Sequence, residues 1–356
     1  MQISFKYFIL LFLIRTLDLS GQGAELKLVF AGDIMGHDSQ IASAYDGKSY
    51  NYDTCFSLIK PILDNADIAI ANLEVTLAGP PFKGYPQFSS PDELAISAKN
   101  AGFDLLINAN NHSLDRRKSG LERTNQVLED KNIIHTGTFN NEYSRIKSYP
   151  LIIEKNGIRL ALLNYTYGTN GLKVQSPNIV NYIDKETIQK DLQKAKLAKP
   201  DFTIVTIHWG SEYQRIQNTE QEDLAKFILD KGANAIIGSH PHVVQPIKTY
   251  KYDNENRLVV YSLGNFISNQ RKRYTDGGIL FEMKLKKDAV STRLDKYNYF
   301  PVWVHKPKKQ NAGNYFVLTP SNKEKIFYDS LGMSEPDYQK MKQFNEDILG
   351  HLGEMD

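Results

Sequence analysis

The chain has one cysteine, Cys55, in 356 residues. A lone thiol closes no intramolecular disulfide and cannot build a cysteine-type zinc site. Its setting, Cys55-Phe56-Ser57-Leu58-Ile59, reads as a small buried apolar residue on a helix. Net charge is also scarce: 43 Lys and Arg against 41 Asp and Glu leave +2. That balance gives no footprint for nucleic acid, although one local patch could still hold an acidic polymer. Long apolar runs are missing too. The run Tyr7–Ile14 is too short to span a bilayer, and no later segment is apolar enough to cross one. Internal repeats, low-complexity stretches and a linker that would divide the chain are absent.

The N-terminus does carry a pattern. Lys6, the apolar run and the small residues Ser20-Gly21-Gln22-Gly23-Ala24 together resemble a secretory signal over residues 1–24. Export to the periplasm or the extracellular space is expected, with the mature chain beginning between Gly21 and Glu25. No cysteine follows the run to take a lipid anchor.

From Leu26 onward, short apolar runs alternate with segments of helical spacing. Strands are expected at Leu26–Ala31, Asp67–Asn72, Asp104–Asn108, Arg159–Asn164, Phe202–Ile207, Ala235–Ile237, Leu258–Tyr261, Ile279–Met283 and Tyr297–Val304. Helices are expected at Thr54–Asn65, Leu94–Ala101, Ser119–Lys131, Glu186–Ala198 and Glu220–Lys231. Such alternation argues for an α/β domain with helices on the sheet faces. The expected organisation is one domain over residues 25–320 and a polar, solvated helical appendage over 321–356.

The informative feature is where the polar residues fall. Asp33, Asn72 and Glu74, Asn110-Asn111-His112, His208, His240-Pro241-His242 and Gly264-Asn265 all follow expected strands. In open α/β sheets the carboxyl ends of strands share one rim, where ligands bind. Taken singly, Asp33 suits a helix N-cap, Asn110-Asn111-His112 a turn, and His208 a hydrogen-bonded core histidine. Jointly they say more, because five of the eight histidines (37, 112, 208, 240 and 242) lie at strand ends. Mixed Asp, Glu, Asn and His ligands suit divalent manganese, iron or zinc. So many buried ionisable groups at one rim would be costly without a cation.

These motifs, from Gly32-Asp33-Ile34-Met35 through Asn72-Leu73-Glu74, Asn110-Asn111-His112, His208-Trp209-Gly210 and Gly238-Ser239-His240-Pro241-His242 to Ser262-Leu263-Gly264-Asn265-Phe266, resemble the CapA family in order and spacing. That family is associated with poly-γ-glutamate capsule synthesis and belongs to the calcineurin-like metallophosphoesterase superfamily. The resemblance covers Leu26 to Met283, and Pro301-Val302-Trp303 is similar to a later family segment. It implies a four-layer αββα sandwich and two divalent ions. Asp33 and His242 would hold one ion, Asn111, His208 and His240 the other, and Glu74 would bridge both. His112 would act as general acid rather than ligand, and Asp115 would either orient it or cap a helix.

One departure stands out. Where the superfamily has Asp-x-His, position 35 is Met. His37 could substitute, with Asn72 and Asn265 as further candidates. Tyr85, Tyr167, Arg271 and Arg273 are candidates for substrate contact. The implied partners are a phosphoester or an anionic polymer, and membrane-bound capsule machinery. The competing expectation is a non-catalytic assembly or export factor with vestigial metals.

Overall fold

Strand β1 (Ala24–Ile34) shows how the sequence sorts itself into layers. Alternate side chains of a strand face opposite ways. Leu26, Leu28 and Phe30 enter one apolar cluster, while Val29 and Ala31 enter another. Both faces of β1 are therefore covered, which is why its sequence reads as a nearly continuous apolar run. The computed structural model describes residues 23–252, 255–307, 315–318 and 325–353. The signal-like segment up to residue 22 lies outside them.

Among the described residues, one mixed sheet has the order β16 (Phe316–Leu318), β15 (Thr292–His305), β14 (Gly277–Lys287), β1, β2 (Ile68–Leu73), β3 (Leu105–Ile107) and β4 (Ile134–Thr136). Strand β13 (Asn265–Ile267) pairs in parallel with the end of β1. Strands β1 to β4 run parallel to one another. A second sheet has the order β11 (Ile247–Tyr252), β12 (Glu255–Val260), β10 (Ala235–Ser239), β9 (Phe202–His208), β7 (Ile158–Thr166) and β6 (Leu151–Lys155), with β7, β9, β10 and β12 parallel. Strands β5 (Thr138–Phe139) and β8 (Ile179–Val180) form a small antiparallel ribbon.

The two sheets face each other across Phe30, Ile70 and Leu105 on one side and Leu162, Ile204 and Ile237 on the other. Helices Glu93–Ala101 and Arg117–Asp130 cover the outer face of the first sheet through Leu94, Ala98 and Leu128. Helices Lys185–Leu197 and Thr219–Asp230 cover the second through Ile188, Leu192, Ile228 and Leu229. This is the four-layer αββα sandwich that the resemblance implied.

Two expectations need correction. The helix expected over Thr54–Asn65 is two short ones, Asp53–Phe56 and Lys60–Asp64. Pro61 has no N–H to continue an upstream helix and sits in the first turn of the second. The C-terminal segment is helical over Glu335–Leu352 but is not wholly solvated. Met341, Phe344 and Ile348 are buried in the same cluster as Tyr299 and Trp303.

Candidate metal centre

Three parallel strands of the first sheet and two of the second end at one rim. Their register brings Asp33 opposite Asn72 on one side and Asn265 on the other. The β1–β2 pairing slips between Ala31 and Asp33, and such bulges re-aim a side chain. Gly32 permits the approach, because a Cβ there would lie 1.9 Å from the Gly264 carbonyl oxygen. Asp33, Glu74, His208 and Asn265 are fully or almost fully buried, as are Asn72, Asn111, His112, His240 and His242.

The contacts divide these groups into pairs around Glu74. His242 Nδ1 donates toward Asp33 Oδ2 at 3.2 Å and Asn265 Oδ1 at 3.1 Å. His208 Nε2 lies 2.8 Å from Asn111 Oδ1, and its Nδ1 lies 3.0 Å from Ser239 Oγ. Glu74 Oε1 is 3.6 Å from His208 Nε2 and 4.0 Å from His242 Nε2. Asp33, Glu74 and His208 form one close group, and Glu74, His240 and His242 form another. Glu74 is common to both, as a bridging carboxylate must be. Those groups cut across the partition that the resemblance implied, whereas the pairs Asp33–His242 and Asn111–His208 follow it.

Electrostatics favours a cation here. Both Glu74 oxygens are buried without a hydrogen-bond partner, and so is His240 Nδ1. Burial, followed by the neighbouring Asp33, pushes the Glu74 carboxyl well above its usual range. Burial and then His240 hold His208 well below the ordinary imidazole range, and burial and then His242 hold His240 down to about 3. A neutral imidazole keeps one N–H and one free lone pair, so His208 and His240 can each offer a nitrogen to a cation. Buried polar groups are normally partnered, and this donor set fits divalent ions of the expected kind.

The backbone is strained at the same place. His240 and His242 lie at φ +101° and +58°. Bulky residues hold such angles only where their surroundings over-determine them.

His112 stands beside the cluster. Its Nδ1–H donates to Asp115 Oδ2 at 2.7 Å, and its Nε2 faces Glu74 Oε1 at 4.0 Å. Asp115 also accepts the Phe88 N–H at 2.7 Å, so its carboxylate is turned toward His112 and not toward the helix that begins at Arg117. The Phe88 ring meets the His112 ring edge-on at 4.7 Å.

The other candidates separate. Asn72 links the rim, donating to Asp33 Oδ1 at 2.8 Å. Met35 points into the helix-side core. His37 is absent from the close ligand groups, and its Nδ1 accepts the Asn269 N–H at 3.2 Å. Tyr167 is half exposed and tilts over His240 with ring centroids 4.5 Å apart. Tyr85 is exposed and packs edge-on to Phe88. Arg273 is paired with Asp347, and Arg271 donates to the Val304 carbonyl at 2.7 Å. Neither arginine is brought to the ligands.

Sequence reasoning passed over three groups. Asn110 Nδ2 donates to Asn72 Oδ1 and to the Leu73 carbonyl, and Ser239 supports His208; both sit inside motifs already singled out. Tyr213, whose ring lies 6.1 Å from that of His242, sits in a polar loop with no pattern to mark it.

The family described as "Bacterial capsule synthesis protein PGA_cap" matches residues 27–270. The capsule biosynthesis protein CapA of Bacillus anthracis is 29% identical over 285 residues, covering 76% of this chain and 66% of that protein. The PGA biosynthesis protein CapA of Bacillus subtilis (strain 168) is 28% identical over 292 residues, covering 79% and 72%. The chain thus spans about two thirds of the length of these relatives. Among solved structures, the Haemophilus influenzae NAD nucleotidase NadN superimposes with a TM-score of 0.51 at 12% identity, over 92% of this chain and 68% of that one. That likeness is one of fold.

Proposed function

Because the chain belongs to the bacterial capsule synthesis protein family PGA_cap, we propose that it is an exported, metal-dependent hydrolase that acts on an anionic envelope polymer such as poly-γ-glutamate, or on a phosphoester formed during its synthesis. The observation that carries this reading is the fully buried, unpartnered Glu74 carboxylate among Asp33, His208, His240 and His242. Two divalent ions, of manganese, iron or zinc, would supply Lewis acidity toward a phosphoryl or carbonyl oxygen and acidify the attacking water.

The side chains do the rest. Asp33 and His242 would hold one ion, Asn111, His208 and His240 the other, and Glu74 both. Asn265 and Ser239 orient His242 and His208 from behind, as outer-shell partners do. Asp115 accepts a hydrogen bond from the Nδ1–H of His112, which fixes the tautomer and leaves Nε2 facing the centre. A protonated Nε2 would then give its proton to the leaving oxygen or nitrogen. Phe88 packs edge-on against that buried ring.

Met35 favours a second reading, a non-catalytic assembly or export factor that works with membrane-bound capsule machinery. Its thioether is turned into the core, so the centre has one ligand fewer than the superfamily pattern. Turnover of a phosphodiester and of poly-γ-glutamate by the metal-loaded protein separates the two. Cleavage that chelation abolishes is expected of the hydrolase. A fully loaded protein that cleaves neither would leave the assembly role.

A further inference from the structure

One residue of the C-terminal helix, Asp347, ties together two loops that lead back to the metal rim. Asp347 receives a two-pronged ion pair from Arg273, Nε to Oδ2 at 2.9 Å and Nη2 to Oδ1 at 2.7 Å. Its main-chain carbonyl accepts Arg215 Nη2 at 2.9 Å. Arg215 lies in the loop after β9 and Arg273 in the loop after β13. Both guanidinium groups lie against the Tyr274 ring, at 4.2 and 4.8 Å from its centroid, and Tyr274 holds a φ of +74°. The Asp347 side chain is only 11% exposed although Arg273 is open to solvent, so what Asp347 contributes is its geometry, two loops held by one covered residue, more than the strength of a surface ion pair.

Each loop then leads to His242. Past Arg273, the Thr275 carbonyl accepts Asn265 Nδ2 at 2.8 Å, and Asn265 Oδ1 receives His242 Nδ1 at 3.1 Å. Ahead of Arg215, the Tyr213 N–H donates to the Pro241 carbonyl at 2.8 Å, and the Tyr213 ring faces that of His242. From these two routes we infer that Asp347 is a positioning residue for the metal centre: the last turns of the C-terminal helix fix the two loops that aim His242. The inference rests on the metal-centre reading above. It adds a contribution from outside residues 27–270, the region the family matches. His242 needs such support because its backbone is strained, and strained residues persist only where several contacts hold them. The loop after β9 has an independent tether, Gln245 Nε2 to the Gln214 carbonyl at 2.8 Å, so loss of Asp347 loosens the aim of His242 without releasing that loop.

The test is calorimetric titration of the full chain with Mn(II) alone, comparing wild type with Asp347→Ala and Asp347→Glu. Arg273→Ala, at a 61% exposed side chain, cuts the same link should Asp347→Ala fail to fold. Weakening of one of two ions by about 10-fold, the low end for an outer-shell partner, with recovery in Asp347→Glu, is the expected result. Lys325→Ala breaks the ion pairs with Asp329 and Glu335 far along the same segment and should leave both affinities unchanged. Two ions bound at wild-type affinity in Asp347→Ala and Arg273→Ala would overturn the positioning role alone. A wild type that takes up no ion would overturn the metal centre and this inference with it.

Discussion

His112 differs from its neighbours in what holds it. His208 and His242 meet oxygens of the candidate ligands Asn111 and Asp33, whereas His112 is tied by Nδ1 to Asp115, which belongs to neither close group, and presents Nε2 to the centre. Replacing His112 with Ala is expected to leave bound metal unchanged and to slow turnover by about 10²–10⁴-fold on substrates with poor leaving groups. Metal analysis beside steady-state rates checks this, and an unchanged rate would remove the acid role. His37 gives a second residue-scale expectation. Burial holds its imidazole down to about 4, below the unfolded value of 6.5. The unfolded chain therefore binds the extra proton first, so the contribution of His37 is complete above pH 6.5 and is lost as pH falls toward 4. Chemical denaturation of the metal-free protein across that window should show a shallower acid loss in His37→Gln, and identical slopes would count against it. At this scale the sequence was readable wherever polar residues followed strands. Asp33, Glu74, His208 and the His240-Pro241-His242 run are all explained by where strands must end. The inward turn of Met35 and the arrival of Tyr213 were not readable, because both depend on loop geometry.

The strands themselves announced their positions well, since burial on both faces leaves unbroken apolar runs such as Ile68–Ala71. The helices were harder near their ends. Pro61 divided one expected helix, and the C-terminal helix hid its apolar stripe within a polar composition. Met341, Phe344 and Ile348 are spaced by three and four residues, the period of a single helix face, yet their partners Tyr299 and Trp303 come from β15, about forty residues earlier. Only tertiary packing reveals that match. Phe344→Ala should cost about 3–5 kcal/mol, the range for emptying a buried phenylalanine site. Thermal or urea unfolding measures it, and a loss below about 1 kcal/mol would mean that the helix is not docked as described.

The whole molecule places two sheets so that their parallel strands deliver candidate ligands to one edge, and neither sheet supplies the complete set. Asp33, Glu74 and Asn111 come from the first, His208, His240 and His242 from the second. Cations at the junction would therefore join the two halves of the sandwich, and chelation should lower the melting temperature. Metal at 100 times its dissociation constant adds about 2.7 kcal/mol per site. Glu74 is the group that both halves share. The most direct measurement is equilibrium dialysis against Mn(II) of wild type and of Glu74→Gln, with a circular dichroism spectrum to show that both are folded. Two ions per chain in the wild type, and the loss of both in folded Glu74→Gln, is the predicted result. A wild type without bound metal, or a Glu74→Gln variant that retains two ions, would contradict it.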